Sequence, residues 1–155
     1  MSRPAISLVI ASRLEDVFLV GSAIKQIAHN CGFDEQRAFQ AELVVVEAVN
    51  NVIEHGYDGE GTGRIEVMVE RGTNELVFSV IDNGHPIASE VWSRVESCQA
   101  DEEISDRGRG LMIMRSFTDG ISYASRDGRN ILVLRKSVSQ NAVSHSSTKI
   151  KDRQA

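Results

Sequence analysis

Four polar residues recur along an otherwise apolar segment at a spacing suited to binding or catalysis. Glu47, Asn51, Glu54 and His55 follow one another at intervals of four, three and one residues, and side chains at i, i+4, i+7 and i+8 share one face of a helix. A carboxylate beside an amide oxygen suits a hydrated Mg²⁺, which takes oxygen ligands and keeps several waters. This polar helix face therefore either lines a ligand pocket or is exposed to solvent.

A carboxylate also stands at the end of an alternating apolar run. The run closes with Ile81-Asp82-Asn83-Gly84, and an Asp followed by Gly is often no more than a turn. The same position directs a carboxylate towards the cleft above a sheet, where it can accept a hydrogen bond from an exocyclic amine such as that of adenine. Asp82 is therefore a candidate for base recognition as well as a candidate turn residue.

A third segment combines two glycines with two arginines. Residues 106–111 read Asp-Arg-Gly-Arg-Gly-Leu and lead into a helix that we expect to start near Gly110. Gly108 and Gly110 let the backbone approach a ligand closely, and a helix N-terminus attracts anions. Arg107 and Arg109 add charge-assisted donors. The segment is a candidate phosphate site, although it matches neither the P-loop pattern nor the G-x-G-x-x-G dinucleotide turn.

The elements that must position these segments follow from hydrophobic periodicity. In the first half of the chain, the sequence predicts a strand over 5–12, a helix over 13–30, and a second helix from an N-cap at Asp34 to about residue 55. A hairpin of strands 64–71 and 75–82 follows. After a long polar connection over 83–110, the sequence predicts a third helix from about residue 110 and a hairpin of strands 119–126 and 129–136. Helices and strands do not alternate regularly in this order. It predicts an α+β protein, a two-layer sandwich with a mixed, mainly antiparallel sheet and helices on one face.

Composition limits the class of protein. The 155 residues are 41% hydrophobic, which is enough for one domain, and we assign that domain to residues 1–137. Residues 138–155 have the polar composition of a disordered tail.

The net charge of −5 argues against direct nucleic-acid binding. No run approaches the roughly 18 apolar residues of a membrane helix, and the N-terminus lacks a signal peptide, so we expect a cytoplasmic protein without membrane contact. Cys31 and Cys98 form no C-x-x-C pair, which argues against a disulfide framework or a zinc site.

Taken together and in this order, the three candidate segments resemble the motifs of the GHKL (Bergerat-fold) ATPases. Glu47-x-x-x-Asn51 resembles the N box of that superfamily. Asp82-Asn83-Gly84 resembles the first glycine box and Gly108-Arg109-Gly110 the second. The long connection between the two glycine boxes is similar to an ATP lid.

Within that superfamily, the run EAVNNVIEHGY over 47–57 resembles the bacterial anti-sigma factor serine-protein kinases of the RsbW type, and the resemblance extends over residues 5–136. It implies a Bergerat ATP-binding fold, the cofactors ATP and Mg²⁺, and serine/threonine-protein kinase activity. It also implies a homodimer and two protein partners. One is a STAS-domain anti-anti-sigma protein, phosphorylated on a serine; the other is a sigma factor, which the kinase sequesters. The exposed faces of residues 5–42 are our candidate surface for the dimer and the partners.

The resemblance also implies roles for individual residues. Glu47 would be the general base that takes the proton of the serine hydroxyl, and Asn51 would ligate Mg²⁺. Asp82 would read adenine. The backbone of the second glycine box would cradle the phosphates, and Arg107 or Arg109 would face the γ-phosphate. The nucleotide-binding set also contains His55, Gly84, Gly108, Gly110, Leu111 and Asn130.

Two positions depart from the pattern of the family. Pro86 stands where the first glycine box usually has a second glycine, and Asn130 stands where the family usually has the Thr that backs the adenine-reading Asp through water. An Asn side chain can still donate and accept hydrogen bonds. Two alternatives to an active kinase remain open at this point. One is a nucleotide-gated, non-catalytic regulator of the same fold that binds proteins, and the other is an α+β protein that binds no nucleotide.

Overall fold

The computed structural model of the chain describes residues 4–59, 61–97 and 106–139, without the side chains of Asp106 and Arg107. The predicted tail lies outside the described residues from residue 140 onwards, as does Cys98. The elements, in order, are β1 (Ala5–Ala11), α1 (Leu14–Asn30), α2 (Glu35–Asn51), β2 (Arg64–Arg71), β3 (Glu75–Asp82), α3 (Ser89–Ser97), α4 (Asp106–Ser116), β4 (Gly120–Arg126) and β5 (Arg129–Ser137). A single π-helical turn, Val52–Gly56, continues α2.

The strands form one five-stranded sheet in the order β1-β2-β3-β5-β4. The four pairings among the described strands are all antiparallel, and the predicted α+β fold class is confirmed. Asp127 and Gly128 join β4 to β5 with φ angles of 53° and 73°. Two positive φ angles belong to a type I′ turn, whose twist matches that of the strands it connects. The two hairpins expected from alternation are therefore present with the expected partners.

One face of the sheet carries the hydrophobic core. Alternate residues of β2 and β3 point towards the helices because successive side chains of a strand point to opposite faces. The strand residues in this core are Ile65, Val67, Val69, Leu76, Phe78, Val80, Leu132 and Leu134. From α1 and α2 the core takes Val17, Val20, Ile24, Ala28, Ala38, Ala41, Val44, Val45, Ala48 and Val49. Burying a side chain of the Val, Leu or Phe type contributes about 1.5–3 kcal/mol, so this layer holds α2 firmly on the sheet.

A buried lysine ties the far end of α2 to the sheet. Lys136 of β5 donates hydrogen bonds to Oε1 of Gln40, at 2.8 Å, and to the carbonyl oxygen of Phe117, at 2.7 Å. Burial, and secondarily the nearby Arg37 guanidinium, lowers the pKa of Lys136 below its usual value. Its hydrogen bonds link α2, the end of α4 and β5 at the end of the sheet opposite to Asp82.

Residues 83–110 hold more helix than the sequence suggested. Helix α3 lies inside the segment expected to be a long connection, and α4 begins at Asp106 rather than near Gly110. Glycine is about 1 kcal/mol less favourable than alanine in a helix. Gly108 and Gly110 were therefore expected to lie in the loop before α4 rather than within the helix. Leu111 and Met114 are fully buried against the core, and this packing outweighs the low helix propensity of the glycines.

None of the helices in the described part of the chain is both long enough and apolar enough to cross a membrane.

The start of α2 provides a test of the fold. Asp34 is the N-cap, and its Oδ1 accepts a hydrogen bond from the backbone N–H of Arg37 at 2.8 Å. We expect Asp34→Ala to lower the free energy of unfolding by about 1 kcal/mol, because the N–H loses its acceptor. Urea denaturation followed by circular dichroism measures the change. Gln36→Ala, at an exposed position of the same turn, is the control, and an equal loss in both variants would contradict the capping role.

Candidate functional site

Asn51 presents an unsatisfied oxygen where α2 gives way to the π-helical turn. Its side chain is 8% exposed, and its Oδ1 is buried without a hydrogen-bond partner among the described residues. Buried polar atoms have a hydrogen-bond partner in the large majority of cases, so a buried oxygen without one is a candidate to bind a ligand from outside the chain. An amide oxygen is a ligand type that Mg²⁺ accepts. The residue present at this position therefore fits a magnesium ion.

The π-helical turn separates the four polar residues that the sequence placed on one helix face. Such wide turns occur often at functional sites. Here Glu47 is half-buried and Asn51 is buried, whereas Glu54 is exposed. The Nε2 atom of His55 lies 4.0 Å from Oε2 of Glu54, and His55 is not among the residues that line the nearby cavity. The structure therefore brings Glu47 and Asn51 to the candidate site and leaves Glu54 at the surface.

Asp82 lies at the end of β3 and is 6% exposed. Its Oδ1 accepts two hydrogen bonds, each of 2.8 Å, from the backbone N–H of Gly84 and from Nδ2 of Asn130. Within the described ranges, both hydrogen bonds to this carboxylate reach the same oxygen. Oδ2 is therefore the oxygen with capacity for a ligand.

Asn130 sits directly opposite Asp82, as its partner in the β3–β5 register. Besides Asp82, its Nδ2 donates to the carbonyl oxygen of Gly84 at 2.9 Å. Its Oδ1 is buried and has no hydrogen-bond partner in the part of the chain that the structure describes. The position identified in the sequence as a departure thus holds Asp82 by direct contact and adds a second unsatisfied acceptor beside it.

Gly84 brings the end of β3 against the end of the α2 extension. A Cβ atom on Gly84 would lie 2.5 Å from the carbonyl oxygen of Gly56 and 2.7 Å from its carbonyl carbon, so only glycine fits there. The next residue, His85, donates its backbone N–H to the same Gly56 oxygen at 2.8 Å. The first glycine box and the last residue of the π-helical turn therefore form one packed corner.

Tyr57 is a residue of this corner that the sequence analysis did not select. Its hydroxyl donates to the carbonyl oxygen of Arg64 and accepts from the backbone N–H of Asn83, both at 2.9 Å. Nδ2 of Asn83 donates in turn to the carbonyl oxygen of Gly128 at 2.9 Å. The sequence could have indicated this residue by its position immediately after the predicted end of a helix. A tyrosine there can pack its apolar ring and still bond backbone groups through its hydroxyl.

The second glycine box lies in the first turns of α4 and faces Glu47. A Cβ atom on Gly110 would lie 3.2 Å from Oε2 of Glu47, which places the carboxylate beside the helix. Gly108 is buried and Arg109 is exposed. The side chain of Arg107 lies outside the described residues. Leu111 is fully buried in the hydrophobic core, where it packs the helix against its neighbours.

Asn51 and Asp82 line a common cavity. Its other lining residues are Ala48, Val52, Gly56, His85, Ile87, Tyr123 and Leu132. The volume is about 10 Å³, which is close to the minimum for one water molecule. The arrangement thus places a carboxylate that can accept from a base and an amide oxygen suited to Mg²⁺ on one small cavity, and a second carboxylate, that of Glu47, beside the first turns of α4.

The chain matches known proteins over the whole of this site. Residues 10–136 match the family described as the histidine kinase-like ATPase domain. An anti-sigma F factor from Lysinibacillus sphaericus is 33% identical over 106 residues, which cover 66% of this chain and 70% of that protein. The serine-protein kinase RsbW of Listeria innocua is 25% identical over 147 residues, which cover 90% of this chain and 94% of that protein.

A solved structure has the same fold. It contains the RsbU and RsbW domains of Rv1364c from Mycobacterium tuberculosis and superposes with a TM-score of 0.63 at 18% sequence identity. The match covers 86% of this chain and 32% of that longer chain. At this identity the likeness concerns the fold alone.

The curated relatives decide the enzyme class. The relative from Listeria innocua bears the name of a serine-protein kinase, and a further relative from Bordetella bronchiseptica bears that of a serine/threonine-protein kinase. The predicted class, a protein kinase of the GHKL type that uses ATP, is confirmed by these names and by the family match. Because that match spans most of the chain and every described segment of the candidate site, the chain belongs to the histidine kinase-like ATPase domain family.

Proposed function

We propose that this chain is an ATP-dependent serine-protein kinase and anti-sigma factor of a partner-switching system. It transfers the γ-phosphoryl group of ATP to a serine of a STAS-domain anti-anti-sigma protein, and it sequesters a sigma factor. The observation that carries the proposal is the position of Glu47. Its carboxylate faces the first turns of α4 at Gly110, one helical turn from the unsatisfied Oδ1 of Asn51.

The proposed reaction assigns one task to each of these groups. A bond forms between the serine Oγ and the γ-phosphorus, the bond from that phosphorus to the bridging oxygen breaks, and ADP leaves. Glu47 takes the proton of the serine hydroxyl as general base. Asn51 would hold Mg²⁺ through Oδ1, and the ion would neutralise part of the phosphate charge. Asp82 accepts a hydrogen bond from the adenine amine through Oδ2.

The proposed partners rest on the names of the relatives together with the sequence resemblance. Both an anti-sigma F factor and an RsbW kinase match this chain over most of their length. A protein with both roles needs a phosphorylatable partner, which we take to be the STAS-domain protein, and a sigma factor whose release depends on that partner.

A second candidate function has one observation in its favour. Pro86 replaces the second glycine expected in the first glycine box, and proline both fixes its own φ angle and lacks a backbone donor. A nucleotide-gated regulator that binds proteins without transferring phosphate would tolerate this change. The two functions differ in whether Glu47 matters for the output.

The base-recognition role of Asp82 can be measured directly. We expect Asp82→Asn to weaken ADP binding by about 10- to 100-fold, because a hydrogen bond to a charged group contributes roughly 1.5–3 kcal/mol and the amide cannot replace both acceptor oxygens. Isothermal titration calorimetry with ADP, with and without Mg²⁺, gives the affinities. Asp127→Asn is a charge-matched control in the exposed β4–β5 turn, where Asn tolerates the positive φ angle. Equal affinities in wild type and Asp82→Asn would remove Asp82 from the nucleotide site.

The general-base role of Glu47 gives a separate prediction. Glu47→Gln should bind ATP as the wild type does, while phosphoryl transfer to the partner serine falls by about 100-fold or more, because the amide cannot accept the proton. Transfer is followed with radiolabelled ATP and the purified STAS-domain partner. Glu54→Gln, with an exposed side chain close in sequence, is the matched control and should keep full activity. Transfer at the wild-type rate in Glu47→Gln would rule out this base.

The proposed homodimer has a candidate surface at one edge of the sheet. Strand β1 is an edge strand, and an edge presents backbone groups that can pair with another chain. Exposed apolar side chains occur on this strand and on the helix that follows it: Ile6 on β1, and Leu14, Phe18 and Leu19 on α1. Phe18 is 67% exposed. Exposed apolar side chains near a strand that is an edge strand among the described residues are typical of a protein–protein contact.

A charge placed at Phe18 should break the dimer. We expect Phe18→Glu to shift the protein from dimer to monomer in analytical ultracentrifugation, because a carboxylate would be desolvated in the interface. Phe117→Glu, at a partly exposed position near the end of α4, should remain dimeric. A dimer that persists in Phe18→Glu would place the interface elsewhere.

A further inference from the structure

Gly110 faces Glu47 across the contact between α2 and α4. Helix α4 packs against α2, and a Cβ atom on Gly110 would lie 3.2 Å from Oε2 of Glu47. Nine in ten Cβ contacts in proteins are longer than this. A side chain at position 110 would therefore push the carboxylate aside by a few tenths of an ångström.

The backbone of Gly110 gives no reason for a glycine at this position. Among the described residues, the glycines with a positive φ angle are Gly32, Gly59 and Gly128, so Gly110 has a conformation that any residue can adopt. It is the fifth residue of α4, and the N–H groups left without an acceptor inside a helix are those of the first four. The N–H of Gly110 is therefore used by the helix and is not available to a phosphate. Alanine would favour the helix more than glycine does.

The carboxylate of Glu47 has few other constraints on its position. Glu47 is half-buried, and within residues 4–59, 61–97 and 106–139 no hydrogen bond or ion pair holds its carboxylate. Its backbone is fixed, because the neighbouring Ala48 and Val49 are fully buried. The place of the carboxylate thus depends on the packing of α2 and on what stands opposite it on α4, which is Gly110.

Small displacements of this group matter for the proposed chemistry. A general base must come within about 2.6–3.2 Å of the atom whose proton it takes. A misplacement of about 1 Å can lower a rate by roughly 100-fold. Space beside the Glu47 carboxylate is therefore a requirement of the transfer step, separate from the binding of nucleotide.

We propose that Gly110 is a positioning residue for phosphoryl transfer, because its lack of a side chain leaves the Glu47 carboxylate free to take the proton of the substrate hydroxyl. This inference rests on the proposed function, in which Glu47 is the general base. The proton passes from the serine hydroxyl to the carboxylate while the serine oxygen bonds to the γ-phosphorus and ADP leaves. Gly110 acts on this step through Glu47 and makes no contribution of its own to nucleotide affinity.

The first test compares binding with transfer in the full-length Gly110→Ala variant. The dissociation constant of methylanthraniloyl-ADP with Mg²⁺ should stay within about twofold of the wild-type value, while kcat for transfer from radiolabelled ATP to the purified STAS-domain partner falls about tenfold. KM for ATP should not change. Gly61→Ala is the matched control, since its Cβ would lie 3.2 Å from Cγ of Arg13 at an exposed position outside the site. It should behave as the wild type.

A second test asks whether Gly110 acts through Glu47. Glutamine has the shape of glutamate but cannot take the proton, so Gly110→Ala should cause no further loss of kcat in a Glu47→Gln background. A glycine required for the backbone of α4, or for contact with the phosphates, would lower kcat by the same factor in both backgrounds. The double variant therefore separates positioning of the base from a merely structural role.

A third measurement needs neither nucleotide nor partner. Alanine is favoured over glycine within a helix, so Gly110→Ala should raise the urea midpoint of unfolding. The rise should be larger in a Glu47→Ala background than in the wild type, because the carboxylate that must move is then absent. An equal rise in both backgrounds, or a Gly110→Ala protein that does not unfold cooperatively, would contradict the proposed contact.

The outcomes separate this inference from the proposed function. A loss of kcat with unchanged ADP binding, absent in the Glu47→Gln background, supports the role of Gly110. Weaker ADP binding in Gly110→Ala would place the residue against the phosphates and overturn that role. Wild-type kcat in Gly110→Ala, or an equal loss in both backgrounds, would also overturn it and leave Glu47 as the base. No transfer by the wild type, or full transfer by Glu47→Gln, would overturn the proposed function or its base together with this inference.

Discussion

The register between β3 and β5 is the constraint on which the candidate site depends. It places Asn130 opposite Asp82, so that one amide group donates to both the Asp82 carboxylate and the carbonyl oxygen of Gly84. A slip of one residue would turn Asp82 to the other face of the sheet. The corner at Gly84 would then lose its contact with Gly56, and the end of α2 would no longer meet the sheet at this point.

The sequence predicted the sheet well because its signals are local. Alternation in β2 and β3, an Asp-Gly turn between β4 and β5 and an N-cap at Asp34 each act within a few residues, and each is present. Glu47, Asn51 and Asp82 could be selected as candidates from the sequence because each stands in a local motif. The structure brings Asn51 and Asp82 to one cavity and Glu47 to the start of α4, and their chemical roles remain proposals.

The features that the sequence did not reveal depend on contacts between distant residues. Helix α4 starts before Gly108 because Leu111 and Met114 are buried by other elements, which no local propensity reports. The π-helical turn moves Glu54 away from the face that regular helical spacing predicted. The hydroxyl of Tyr57 accepts a hydrogen bond from the backbone N–H of Asn83, 26 residues away, and that of Tyr123 accepts one from the N–H of Ile87, 36 residues away. The sequence around a tyrosine gives no sign of such distant partners.

Both sides of the site rest on the hydrophobic core, and this arrangement suits a reaction that needs precise alignment. Glu47 and Asn51 stand on α2, whose inner face, with Val44, Val45 and Val49, is completely buried. Their separation is therefore insensitive to what happens at the surface. The chain that follows the first glycine box is also held by the core: Ile87 and Val95 are buried in it, and Val91 and Trp92 pack against it. The separation of the two groups that the proposed chemistry requires is therefore set by the packing of the core.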